Sequence, residues 1–255
     1  MRLKDKVVII TGATSGIGKS LAVQVVAEGG KVLVHGIEKS DGEQLVSALG
    51  KSASLCIADL NDQAAPNKIV ESAIAAFGKI DAVVNNAAIF ERHKLPELTP
   101  ESFARTITIN LQSSLFLIKA ALPHLLQTQG CVLNIGSINA YSGEPSLLAY
   151  SISKAGMQTM TRNLANTYGV DKVRFNLINP GWILTDREYA DQIKRGLPQG
   201  WPETLGKINI PSGVMSTPEQ LATACIYWLG DESRPFTGSI VDLEQFSIIG
   251  RNPEK

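Results

Sequence analysis

Short apolar runs alternate along the chain with longer stretches of helical periodicity. The runs are 7–11, 31–35, 54–58, 82–85, 131–135, 173–178 and 239–243. Within each run the apolar residues are continuous rather than alternating, which is the pattern of strands covered on both faces. Between the runs, 18–28 places Leu21, Val25 and Val26 on one helical face, and 62–77 does the same with Ile69, Ala73, Ile74 and Phe77. The long segment 100–126 carries Phe103, Ile107, Leu111, Leu115 and Ile118. Segment 150–168 carries Met157, Met160 and Leu164, and 218–229 closes the series. Strand then helix, repeated, predicts an α/β architecture: a doubly wound parallel sheet of about seven strands, with right-handed crossovers and helices on both faces. No Gly/Pro/Ser-rich linker and no solenoid repeat breaks the rhythm, so 1–255 is expected to be a single domain. Residues 185–216 differ. They show no clear period and contain Pro198, Pro202 and Pro211. An irregular insertion after a strand end, where such sheets bind ligands, is expected to act as a lid.

Composition narrows the function classes. Of 255 residues, 44% are hydrophobic, enough for a large core. Lys and Arg total 24, as do Asp and Glu. A chain with no net charge is a poor candidate for whole-surface attraction to nucleic acid or anionic membrane, so neither is expected as a partner. The best apolar stretch, 115–126, is broken by Lys119, Pro123 and His124, well short of the roughly 18 uncharged residues a span requires. The N-terminal apolar run is too short for a secretory core. The expectation is a soluble, cytoplasmic protein. Cys56, Cys131 and Cys225 lie far apart and suggest buried small side chains, with neither disulfide framework nor metal site.

Two places carry candidate chemistry. After the first run comes Thr11-Gly12-Ala13-Thr14-Ser15-Gly16-Ile17-Gly18, then a helix. Glycines in a strand-to-helix turn let backbone approach a diphosphate, and the helix N-terminus offers unpaired N–H groups to the anion. The bland alternative is a glycine-rich turn with no ligand. The second place is Tyr150 and Lys154, four apart on one helical face. A tyrosine near pKa 10 is a poor proton-transfer group at neutral pH, and a neighbouring cation is expected to lower it. Alone, the pair reads as an ordinary surface contact. Ser137, at the end of a strand, and Asn110, an amide inside an otherwise apolar helix, supply the company.

With these residues together, the chain resembles the short-chain dehydrogenase/reductase family, single-domain branch, with a Rossmann-like fold. The matching pieces are Thr11-Gly12-x-x-x-Gly16-Ile17-Gly18, Asp59-Leu60, Asn85-Asn86-Ala87-Ala88, Asn110, Ser137, Tyr150-x-x-x-Lys154 and Asn179-Pro180-Gly181-x-x-x-Thr185. The resemblance implies four catalytic residues. Ser137 would bond the substrate oxygen, and Tyr150 would give or take its proton. Lys154 would hold the nicotinamide ribose and tune Tyr150, and Asn110 would position a relay water. It also implies an NAD(H) or NADP(H) site. Gly12, Ser15, Gly16, Ile17 and Gly18 would surround the diphosphate. Gly36 and Ile37 would face the adenosine ribose, Asp59 and Leu60 the adenine, and Asn86 and Ala87 the ribose side. Pro180, Gly181, Ile183 and Thr185 would hold the carboxamide. A homo-oligomer, tetramer or dimer, is implied through 100–126 and 150–168.

The chain departs from the family pattern in two places. Relatives that prefer NAD usually carry Asp where this chain has Gly36, and those that prefer NADP often carry a basic residue at Ile37 or Ser15. Glu38 favours free hydroxyls and Lys39 a phosphate, so the preference stays open. After the last strand the usual Asp-Gly-Gly is Asp242-Leu243-Glu244-Gln245, and the tail 246–255 is apolar enough to dock. The pocket is expected from 88–95, 139–147 and 185–216, holding Glu91, Arg92, His93, Asn139, Glu144, Arg187, Tyr189, Arg195 and Trp201. That list suggests a small polar substrate: a sugar, polyol or hydroxy acid. A 3-oxoacyl-carrier-protein reductase is the alternative within the class. A non-catalytic cofactor sensor would have no need of the four intact residues. A sugar-nucleotide epimerase or dehydratase would need a larger C-terminal region.

Overall fold

The structure is a computed structural model and describes residues 1–141 and 144–248. Each apolar run becomes a strand: β1 (Val7–Ile10), β2 (Lys31–Gly36), β3 (Ala53–Ile57), β4 (Ala82–Asn85), β5 (Cys131–Ile135), β6 (Arg174–Pro180) and β7 (Ile240–Leu243). They form one sheet of seven strands in the order β3-β2-β1-β4-β5-β6-β7, with every pair parallel. The order reverses between β1 and β4, so a crevice opens beyond the C-terminal ends of these two strands.

Successive strand residues serve opposite layers, which explains why the runs are continuous. Val8, Ile10, Val32 and Val34 pack with Leu21 and Val25 of α1 (Gly16–Ala27), Leu45 of α2 (Lys39–Leu49), and Leu221 and Ile226 of α8 (Pro218–Leu229). Ile9, Leu33, Val83 and Val132 pack with Ile69 and Ala73 of α3 (Ala65–Phe77), Leu117 and Ala121 of α5 (Ser113–Thr128), and Ala165 of α6 (Leu148–Tyr168). Fully burying one such aliphatic side chain stabilises the fold by about 1.5–3 kcal/mol before entropy is counted. All three cysteines are buried within this framework.

Three elements differ from the sequence expectation. Helix α2 has no apolar stripe to announce it, because only Gly42 and Leu45 are buried. The 100–126 helix is interrupted: α4 (Pro100–Ile107) runs into a π-helical turn, Thr108–Gln112, before α5. Segment 185–216 is not irregular throughout. It contains α7 (Asp186–Lys194), whose N-terminus is capped by the Thr185 hydroxyl accepting from the Glu188 N–H. It also folds over its own apolar cluster of Trp201, Ile210 and Met215, with Trp182 and Tyr189 against it. In charge-rich α7 only Gln192 is buried, so no apolar stripe marked its period. Among the described residues, no helix is long and apolar enough to cross a membrane. Ile249 and the rest of the tail, and Ser142 and Gly143 of the expected pocket, lie outside the described residues.

Candidate active site

The glycine turn is built by side chains from three strands. The Thr11 hydroxyl accepts the N–H groups of Asn86 (3.0 Å) and Ala87 (3.1 Å), tying the ends of β1 and β4. Asn86 Nδ2 donates back to the carbonyls of Thr11 (2.8 Å) and Gly12 (3.1 Å). Gly12 has φ +61°, and a Cβ there would lie 2.9 Å from Ala87 Cα. His35, at the end of β2, donates from Nε2 to the Ala58 carbonyl (3.0 Å), while its Nδ1 accepts the Gly12 N–H at 3.4 Å. Burial pushes this imidazole down to about 4, so it is neutral at physiological pH and acts as a fixed bridge. The N-terminus of α1 follows. Its N-cap, Ser15, is extended and makes no side-chain capping bond, so the first-turn N–H groups remain available to a ligand.

A cleft of about 1080 Å³ runs along the strand ends. On the β2–β3 side its wall includes Ser15, Gly16, Ile17, Gly36, Ile37, Asp59 and Leu60. At the centre lie Gly12, Asn86 and Ala87, and on the β5–β6 side Ser137, Tyr150, Lys154, Pro180, Gly181, Ile183 and Thr185. Two of the predicted residues are not on the wall. Gly18 is buried, and a Cβ on it would sit 2.3 Å from the Gly12 carbonyl, so this glycine serves the packing of α1 on the turn. Asn110 is fully buried in the π turn. Its Oδ1 accepts the Ile89 N–H (2.8 Å), and its Nδ2 donates to the Ile89 carbonyl (2.8 Å) and to Ser153 Oγ (3.2 Å). Ser153 in turn donates to the Tyr150 carbonyl (2.6 Å). The mid-helix amide thus clasps the loop after β4 to the first turn of α6.

Tyr150 and Lys154 occupy the first two turns of α6 on one face. Lys154 is 2% exposed, donates to the Ile135 carbonyl at 2.7 Å, and lies 5.7 Å from the centroid of the Tyr150 ring. Burial lowers its ammonium to about 8. The phenol differs from the expectation. Burial raises Tyr150 above its ordinary value, the Ser137 hydroxyl pulls it down, and Glu144 pushes it up. Loss of water dominates the shift of the phenol, while the Lys154 ammonium bonds the Ile135 carbonyl. Ser137 is held by its own backbone: its N–H donates to Asn179 Oδ1 (3.0 Å), and its hydroxyl accepts the Asn139 N–H (3.2 Å).

Residues 6–194 match the family described as short chain dehydrogenase. The chain belongs to that family. It is 28% identical over 248 residues to the meso-2,3-butanediol dehydrogenase of Serratia marcescens, covering 96% of this chain and 95% of the relative. It is 30% identical to the 3-oxoacyl-[acyl-carrier-protein] reductase FabG of Thermotoga maritima over 253 residues, 98% of this chain and 100% of that one. A solved structure of a 3-ketoacyl-(acyl-carrier-protein) reductase from Brucella melitensis, complexed with NADH, superposes with a TM-score of 0.84 at 27% identity. It covers 94% of this chain and 97% of its own.

As a short-chain dehydrogenase the chain is an oxidoreductase, and its cleft fits a nicotinamide dinucleotide: the close glycine backbone and the uncapped N-terminus of α1 suit a diphosphate. The position where relatives carry an acid is closed here. A Cβ on Gly36 would meet Thr14 Cγ2 at 2.5 Å, so Gly36→Asp cannot simply install that acid. Glu38, Asp41, Asp59 and Lys19 are the charged groups on this part of the wall. The substrate side carries Arg92 paired with Glu144, while nearby Arg105 pairs with Glu91. Phe90 meets Tyr150 edge-on at 6.4 Å. Trp182 stacks on Trp201 at 5.3 Å, and its Nε1 donates to Glu188 (2.8 Å). Of the pocket residues expected from sequence, Arg92, Asn139, Glu144, Arg187 and Arg195 are on the wall. Trp201 is fully buried behind Trp182 instead. The Thr11 and His35 side chains build the turn through partners on other strands, which the local sequence does not reveal.

Proposed function

We propose that this protein interconverts a secondary alcohol and a ketone, using NAD(H) or NADP(H), on a small polar substrate such as a sugar, polyol or hydroxy acid. One observation carries the reading: the Tyr150 phenol, the Ser137 hydroxyl and the buried Lys154 ammonium share one wall of a cleft whose other end is a glycine turn. When bound, the nicotinamide supplies or accepts the hydride. Gly12, Ser15, Gly16 and Ile17 would hold the diphosphate, and Pro180, Gly181, Ile183 and Thr185 the carboxamide end. Ser137 orients the substrate oxygen. Tyr150, kept protonated by burial, delivers its proton to that oxygen in reduction and recovers it in oxidation. Lys154 places a positive charge 5.7 Å from the Tyr150 ring and would hold the nicotinamide ribose. Asn110 holds the backbone that positions Tyr150. The substrate wall mixes Arg92·Glu144, Asn139, Glu188 and Asn209 with Phe90 and Trp182, a surface suited to hydroxyl groups on a small carbon frame.

The test is absorbance at 340 nm against a panel of sugars, polyols, hydroxy acids and keto esters, with each cofactor. Turnover confined to bulky apolar ketones would overturn the polar-substrate reading. A 3-oxoacyl-carrier-protein reductase is the second reading, favoured by full-length matches to two such reductases. NADPH-dependent reduction of a carrier-linked substrate, with no polyol turnover, would select it. The half-exposed Leu115 and Phe116 on α5 and Leu148 and Ile152 on α6 support assembly as a dimer or tetramer, which light scattering would measure.

A further inference from the structure

The chain after β7 reaches back to both feet of the loop that leaves β6 and returns at α8. At the first foot, Glu244 Oε2 accepts the Trp182 N–H at 3.1 Å. At the second foot a single side chain makes three bonds. Gln245 Oε1 accepts from the Ser212 N–H (3.1 Å) and the Ser212 hydroxyl (2.6 Å), while its Nε2 donates to the Val214 carbonyl (2.7 Å). The feet are joined to each other by the Leu184 N–H donating to Ser216 (2.9 Å), and Phe246, next in sequence, lines the cleft. Val214 is 70% exposed, so these three bonds add little to the core. Their effect is geometric: they fix where the loop lies.

We infer that Gln245 is a positioning residue that holds the second foot of the 185–216 loop over the substrate end of the cleft, and thereby sets how firmly the substrate is retained. The inference rests on the proposed reading that this loop covers the substrate. The site demands an amide, since two acceptor contacts and one donor contact fall on one side-chain head. Glutamate keeps the size and the acceptors but turns a carboxylate oxygen toward the Val214 carbonyl. Gln245→Glu therefore behaves like Gln245→Ala.

The experiment uses the full chain, saturated with NADH, under limited trypsin digestion, with cleavage after exposed Lys207 in the loop compared with cleavage after Lys68 in α3. Both variants are expected to be cut after Lys207 about tenfold faster than wild type, the scale of one or two lost net hydrogen bonds. Cleavage after Lys68, the melting temperature and NADH affinity, read by its fluorescence, stay near wild type. With whichever panel compound turns over best, KM rises about tenfold while kcat changes less than about twofold. Wild-type cleavage after Lys207 in both variants would overturn the inference. So would a rise at Lys68 in step with Lys207, or rescue by glutamate. If no panel compound turns over, the polar-substrate reading fails, and the cleavage contrast still decides the role of Gln245.

Discussion

The two ends of the cleft are held by different kinds of interaction. At the glycine turn, Thr11, Asn86 and His35 connect three strand ends through bonds that are buried or part-buried. At the loop end, the contacts are exposed or half-exposed: Arg105 with Glu91, Arg187 with Asp191, and Gln245 with Ser212. Buried bonds are costly to break, because the orphaned group cannot turn to solvent, whereas exposed ones exchange with water at little cost. The difference teaches a division of labour. On the proposed reading, one end is a fixed cradle for the dinucleotide, and the other an adjustable wall that meets the substrate.

The largest effect is expected where the two ends meet. Tyr150→Phe removes the transferable proton and keeps the ring, so kcat should fall about a thousandfold, within the range for acid–base groups. NADH binding by fluorescence should survive, because the cradle is untouched. Unchanged kcat would show that proton transfer does not run through this phenol.

The next test separates the ends by pH. The His35 pKa is depressed from 6.5 to about 4. Between these values the unfolded chain binds the proton that the native chain refuses. The stability from a neutral His35 is therefore complete above pH 6.5 and is lost as pH falls toward 4. The shift corresponds to about 3 kcal/mol. Urea titrations should show that His35→Gln flattens this part of the profile, and an unaltered slope would mean the ring is not locked neutral. Substituting Arg195, at the loop end, should leave the slope alone.

Two alanine substitutions sharpen the same contrast. At Gly18 an added Cβ meets the Gly12 carbonyl at 2.3 Å, whereas at Gly206 nothing lies within 4 Å. Gly18→Ala should cost about 2 kcal/mol by overpacking and weaken dinucleotide binding. Gly206→Ala should stay within about 0.5 kcal/mol by thermal melting. A similarly small effect is expected from Arg105→Met. Breaking its exposed pair with Glu91 should change stability by about 0.5 kcal/mol, and less in high salt. A loss of several kcal/mol there would erase the distinction between the ends.

Much of the fold was legible because strand burial leaves a local record. The runs at 82–85 and 131–135 coincide with β4 and β5, and the other strands shift by one or two residues. Helix α2 was not legible, since one leucine makes no stripe, and α7 was masked by its charge. In the site, the Tyr150–Lys154 spacing and the glycine turn could be read directly, because both depend on neighbours within a few residues. The Asn110 clasp, the closed position at Gly36 and the raised phenol could not.

The sequence by itself determined the alternation of strands and helices, the glycine turn before α1 and the shared face of Tyr150 and Lys154. All three are set by short-range periodicity and backbone freedom. Only the tertiary structure decided that Gly18 packs rather than lines the cleft, that Lys154 bonds the Ile135 carbonyl, that His35 bridges two loops as a neutral ring, and that Gln245 holds the loop. These outcomes depend on groups distant in sequence and on how much water the folded chain removes from around them, which no local pattern records.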